Sequence, residues 1–216
     1  MIKNLIIVFM FFCSLFLFAE DSENTEEKKE SLEPYSLNQR YMMMVNDFEV
    51  SSKNEEYQYL GEKIADKLIN EIFKYQRYRI IERKRMKLIL DELSFQQSGF
   101  ADKDFMTKVG NQLGAELLLT GSVTDISKKS EKKSIGIASK IDTDISVKIE
   151  ARVILIRTGE IMAISSWDGK DKVSDKRALV AVKQDKSEVD AVIDELVTNA
   201  VDKIAFDLSK NAPVKE

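Results

Sequence analysis

Gly110-Asn111-Gln112-Leu113-Gly114-Ala115-Glu116-Leu117-Leu118-Leu119-Thr120-Gly121-Ser122-Val123 carries the chain out of one element and into another. Phe105, Val109 and Leu113 recur about one turn apart, so the spacing predicts a helix, with Asp102 as its cap. Gly114 ends that helix, because glycine takes the left-handed conformation of a helix terminus without steric cost. The run from Leu117 to Val123 is almost continuously apolar, as a strand covered on both faces requires. A helix feeding such a strand places the chain among the α/β (α+β) folds, with helices packed on a sheet.

Upstream, Tyr41 to Val50 is apolar and β-prone and reads as a first strand. Ser52-Lys53-Asn54-Glu55 has capping-box spacing. Tyr57, Leu60, Ile64, Leu68, Ile72 and Tyr75 then form one helical face. Gly61 inside that helix costs about 1 kcal/mol relative to Ala, which points to a neighbour packed closely against it. Tyr78 to Glu82 reads as a second strand. Met86, Ile89, Leu90 and Leu93 mark a second helix, stopped by Ser98-Gly99.

Downstream, the period changes to two from Ser134. Ile135, Ile137, Ile141, Ile145, Val147, Ile149 and Val153 alternate with polar and charged residues, which predicts one long strand to Leu155. Thr158-Gly159 is a turn, and Glu160 to Trp167 is the returning strand. Residues 168–177 are polar, and Ala178 to Val182 reads as a short strand. Val189, Ile193, Leu196, Val197, Val201, Ile204 and Leu208 form a final helix face. The expected order is β-α-β-α-α-β-β-β-α: a single mixed sheet, helices packed on it, and one extended β-hairpin. The domain is expected over 37–210, with a frayed tail at 211–216.

The rest of the chain is of another kind. Lys3 precedes an apolar run from Leu5 to Phe18, then Ala19 and acidic Glu20 and Asp21. That is the layout of a secretory signal peptide over 1–19. The run is shorter than the roughly 20 apolar residues of a spanning helix. Residues 20–33 carry seven acids against Lys28 and Lys29, a net charge of −5. The whole chain has a net charge of −4 and the signal segment holds one Lys and no acid, so residues 34–216 are neutral overall. Residues 20–36 therefore read as an acidic disordered spacer.

Composition excludes several chemistries. There is no His, which removes the commonest general base and zinc ligand. One Cys, Cys13, rules out a disulfide framework or a Cys-rich metal site. The eight glycines form no G-x-G pattern and head no phosphate loop. A pI near 5.2 argues against nucleic acid as a partner. No catalytic, cofactor-binding or metal site is expected, and Glu82-Arg83 stands out only as a charged pair at a strand end. Lys128, Lys129, Lys132 and Lys133 form a basic cluster, read either as a solvated hairpin tip or as a contact for an anionic surface such as cell wall or lipid headgroups. Trp167, the one Trp, is either core or partner contact.

Several segments together resemble one family. They are Gly61-Glu62-Lys63-Ile64-Ala65-Asp66-Lys67-Leu68, Tyr78-Arg79-Ile80-Ile81-Glu82-Arg83, Leu88-Ile89-Leu90-Asp91-Glu92-Leu93 with Gln97-Ser98-Gly99, the quoted Gly110–Val123 stretch, and Arg157-Thr158-Gly159-Glu160-Ile161. In colinear order over roughly 41–208 they resemble the CsgG family, named for the curli secretion channel. LpoB-type activators of penicillin-binding proteins and the TolB amino-terminal domain are similar in fold. The resemblance implies a non-enzymatic periplasmic protein at the outer membrane or cell wall. Its partners would be envelope or secretion proteins, with a role in assembly, secretion or transport. A secretion pore and activation of cell-wall synthases are the alternatives it leaves open. Residues 124–134 and 168–177 are too charged to offer a lipid face, which argues against a pore. A strand from Ile135 to Leu155 outreaches a small domain, so Ile135, Ile137 and Ile141, with Trp167, are the expected contacts of a homo-oligomer.

Overall fold

The computed structural model describes residues 31–51, 55–96, 103–135, 138–178 and 186–216. The expected signal peptide, most of the acidic spacer, the capping stretch Ser52–Asn54 and Ile137 lie outside them.

Six strands form one mixed sheet: β1 (Met42–Val45), β2 (Glu49–Val50), β3 (Arg79–Ile80), β4 (Leu117–Ile135), β5 (Ala138–Leu155) and β6 (Glu160–Ala178). The order is β3-β1-β4-β5-β6, with β2 also paired to β4. β1 runs parallel to β3 and β4, whereas β4–β5 and β5–β6 are antiparallel. The helices are α1 (Leu60–Tyr75), α2 (Arg83–Gln96), α3 (Lys103–Leu113) and α4 (Lys186–Lys210). This is the expected mixed sheet with helices packed on it.

Period-two alternation divides β1 and the start of β4 between two cores. Met43, Val45, Leu117 and Leu119 face α1 and α4, joined there by Ile145, Val147, Ile149 and Val153 of β5. Met44 and Leu118 face the other way, toward Met86, Val109 and Leu113 of α2 and α3. The continuous apolar run at Leu117–Leu119 therefore serves both layers, as its composition demanded.

Glycines do specific work at a few points. Gly114 and Gly159 hold φ of 68° and 78°, which closes α3 and the β5–β6 turn. At Gly61 a Cβ would lie 2.1 Å from the Phe48 carbonyl oxygen. That close approach lets the Phe48 amide donate to the Gly61 carbonyl at 3.2 Å, and it is the packing role the sequence suggested.

Four expectations are corrected. The first strand is two short ones, because the chain leaves the sheet at Asn46–Phe48. The Lys-rich stretch is not a hairpin tip: β4 continues through it to Ile135, held by an unbroken register from Asp125↔Lys148 to Ile135↔Ala138. β4 ends at Ile135 and β5 begins at Ala138, so the run 135–155 belongs to two strands, and the polar stretch 168–177 is part of β6. The tail is pinned rather than frayed. The Lys215 amide donates to Gln39 O at 2.9 Å, the Tyr35 hydroxyl donates to Ala212 O at 3.0 Å, and Ala212 is buried.

Candidate interaction surface

In an antiparallel pair, residues directly opposite share a face. Lys128 lies opposite Ile145 and Lys132 opposite Ile141, on the side of α1 and α4. Lys129 lies opposite Asp144 and Lys133 opposite Lys140, on the other side. The four lysines are thus two pairs on opposite faces. Lys128 places its Nζ 5.2 Å from the Tyr57 ring centroid, as a cation over an aromatic face.

The expected contact residues are also separated. Ile135 is the last residue of β4, and Ile141 is half-buried on β5. Helix cover on that face reaches Thr143 and Ile145, both buried. Trp167 pairs with Ile149, eight residues from Ile141, or roughly 26 Å along the strand. Its ring packs on the core and lies across Gly169, where a Cβ would sit 1.8 Å from the indole.

The opposite face of β4–β5–β6 is polar beyond the reach of α2 and α3. Ser127 and Ser146 share a hydrogen bond of 2.6 Å, and Ser146 donates to Asp125 at 2.9 Å. Asp142 accepts from Lys140 at 2.8 Å and from Ser174 at 2.6 Å. Those bonds, Lys140 first, hold its carboxyl down at about 2. Flanking side chains leave Asp142 only 5% accessible, yet among the described residues no helix lies over its part of the sheet, so burial opposes this only weakly. A shallow groove of about 580 Å³ on this arm is lined by Ser127, Lys129, Asp144, Ser146, Lys170 and Lys172.

A second recess runs beside the β3 edge. Ile69 and Phe73 of α1, Ile80 of β3, and Arg83 and Lys84 of α2 line about 540 Å³ of it, and an adjoining 360 Å³ reaches Lys87 and Leu88. Arg83 is the hub. Only 8% exposed, it pairs with Asp47 and Asp66, and its Nη1 also donates to Glu62 O at 3.2 Å. Among the described residues its Nε has no hydrogen-bond partner. The sequence pointed to Glu82 beside it, but Glu82 is exposed and the partners come from the β1–β2 loop and α1. Only three-dimensional placement reveals this set, since Asp47 is 36 positions away.

At the rim between β1 and β4, Glu116 accepts from the Met42 amide at 3.1 Å and from Lys215 at 2.5 Å. Burial raises its carboxyl, but these two donors outweigh it and leave the group below its ordinary range. Among the described residues, no group of three His, Cys, Asp or Glu is placed to hold a metal, and no helix is long and apolar enough to cross a membrane.

These features define an α/β module that offers polar sheet surface and open sheet edges. The chain belongs to the CsgG family, described as the curli production assembly/transport component, whose model matches residues 32–212. Several solved structures are similar. The PelC dodecamer from Paraburkholderia phytofirmans shares 12% identity at a TM-score of 0.41, covering 85% of this chain and 95% of that one. The LpoB C-terminal domain from Escherichia coli shares 13% at 0.40, covering 65% and 87%. Lipoprotein GNA1162 from Neisseria meningitidis shares 13% at 0.37, covering 74% and 96%. Likenesses at these scores carry no weight below. Comparison with curated proteins gave no match.

Proposed function

We propose that this chain is an exported, non-enzymatic component of an envelope assembly or secretion system, acting in the periplasm by binding proteins, itself included. Membership of the CsgG family over 32–212 carries the reading. The chain's own chemistry supports it: no His in the sequence, and a polar sheet face suited to contacts rather than to turnover. A lipid-facing pore wall is disfavoured. The row Lys128–Ile145–Asp171 sets charges on both sides of an aliphatic residue, and a Lys on a barrel's lipid face costs about 2–4 kcal/mol near the midplane.

Cell fractionation and native mass of the full chain, with and without detergent, test the reading. The protein is expected in the periplasmic or outer-membrane fraction, starting at Glu20, and as more than one copy. A cytoplasmic protein still beginning at Met1 would overturn export, and a monomer at tens of micromolar would overturn self-association.

A further inference from the structure

Beyond Val123 the described partner of β4 is β5 alone, and β5 in turn pairs with β6 as far as Ala138↔Ala178. These three strands form an arm that is the basic pole of the domain. Over 125–135, 138–148 and 168–178 the sequence carries ten Lys and Arg against seven acids, a net charge of +3. Residues 34–216 are neutral overall, so the rest of the domain carries −3.

Part of that charge surrounds one groove. Register sets Lys129, Asp144 and Lys172 in one row of the face turned away from α1 and α4, and Ser127, Ser146 and Lys170 in the next. Together they line the shallow groove of about 580 Å³. Ile145 and Asp171 also border it, but they belong to the alternating row whose side chains point to the other face. Three ammonium groups thus meet one carboxylate there, an excess of two positive charges. Among the described residues Lys129 and Lys170 make no ion pair or hydrogen bond. Lys172 approaches Asp144 and Asp142 only to 3.7 and 3.8 Å. The two serines are spent on each other and on Asp125, so the free donors of the groove are ammonium groups.

Lysines guard open strand edges. A guard needs only to be charged, whereas these three come from both edges of the arm and share one face over one groove. Like charges so placed repel unless an anion lies between them. The face also lacks what other partners need. From Asp125 outward its described residues include no aromatic or large apolar side chain, the anchor on which a protein interface centres. They include no Arg either, whose planar fork suits a carboxylate, whereas lysine meets phosphate as a point charge. A phosphomonoester carries a charge of about −1.5 to −2 at neutral pH, which matches the local excess.

We infer that the groove between Lys129, Lys170 and Lys172 binds a phosphomonoester, borne by a lipid headgroup or by a small soluble molecule. The phosphate lies among the three ammonium groups, and the remaining volume receives the group that bears it. The ligand is not a protein, so the inference goes beyond the contacts read above and does not depend on self-association.

The test compares full-length Lys129→Ala/Lys170→Ala with Lys128→Ala/Lys132→Ala, which removes the same charge from the opposite face. All four side chains are exposed, so folding is expected to be retained, with far-UV circular dichroism as the check. Lys172→Ala is a second variant of the groove, and Lys132→Ala alone serves as the control if loss of the Lys128–Tyr57 contact unfolds the protein. Titration calorimetry with glycerol phosphate, at an ionic strength held with chloride, reads a soluble ester. Co-sedimentation with phosphatidylcholine vesicles, with and without phosphatidic acid, reads a lipid. Wild type is expected to bind at least one of these probes, and Lys129→Ala/Lys170→Ala to bind it at least about tenfold more weakly. Lys128→Ala/Lys132→Ala should match wild type. Binding of the vesicles only when they hold phosphatidic acid assigns the phosphate to a lipid, and binding of glycerol phosphate alone assigns it to a soluble ester. Equal weakening in the two double variants would overturn the site, since net charge would then suffice. So would a wild type that binds neither probe, or that binds acetate as tightly as glycerol phosphate.

Discussion

The Tyr78 hydroxyl donates to the Leu208 carbonyl oxygen at 2.8 Å, inside the core and across 130 positions of sequence. It ties the entry to β3 to the last turns of α4, and burial pushes its phenol well above the ordinary value. Tyr78→Phe keeps the ring and strands the carbonyl. A loss of roughly 1–2 kcal/mol is expected, seen as a lower denaturation midpoint with an unchanged slope.

Gly61→Ala should destabilise, although Ala is the better helix former by about 1 kcal/mol. The added methyl meets the Phe48 backbone oxygen, which cannot yield as a side-chain tip would. A net loss of about 1–2 kcal/mol in chemical denaturation is expected, by overpacking. A more stable variant would mean that the loop after β1 shifts freely away from α1.

Ile149 is fully buried and Ile164 mostly exposed, on adjacent strands and opposite faces. Ile149→Lys should abolish cooperative unfolding, since it buries a charge with no partner. Ile164→Lys should keep it. Calorimetry of the two side by side checks the facing of the sheet.

Asp142 gives the arm a dependence on acid. Its carboxyl is held down at about 2, from an ordinary 3.8, by Lys140 and Ser174. A depressed folded-state value stabilises above the unfolded value and ceases to as the group is protonated. The contribution is therefore complete above about pH 4 and lost as pH falls toward 2. Carboxyl chemical shifts followed by NMR should show Asp142 titrating at about 2, and Asp142→Asn should remove that step.

Much of the body was legible because its residues answer to local patterns. Leu117–Leu119 signalled a strand between two layers, and α1 and α4 showed one apolar face each. The distal half of β4 was not legible. Lys128 to Lys133 meet no packed layer on one side and little on the other, so they show no apolar alternation. Their strand is specified by register with β5 and by cross-strand bonds such as Ser130–Thr143 at 2.8 Å. The partners of Arg83 were hidden for a related reason. Asp47 and Asp66 come from two separate segments, and no spacing announces them. The pinned tail rests on Lys215 and Ala212, residues that look like any polar end.

Arg83 fastens three segments at one point: it opens α2 and pairs with Asp47 of the β1–β2 loop and Asp66 of α1. The three are far apart in the chain, so the guanidinium acts as a clasp between elements that share few neighbours in sequence. A clasp of this kind governs local opening rather than global unfolding. In native-state hydrogen exchange, Arg83→Ala should therefore speed exchange at the start of α2 and in the β1–β2 loop, and leave the amides of β4 and β5 unchanged.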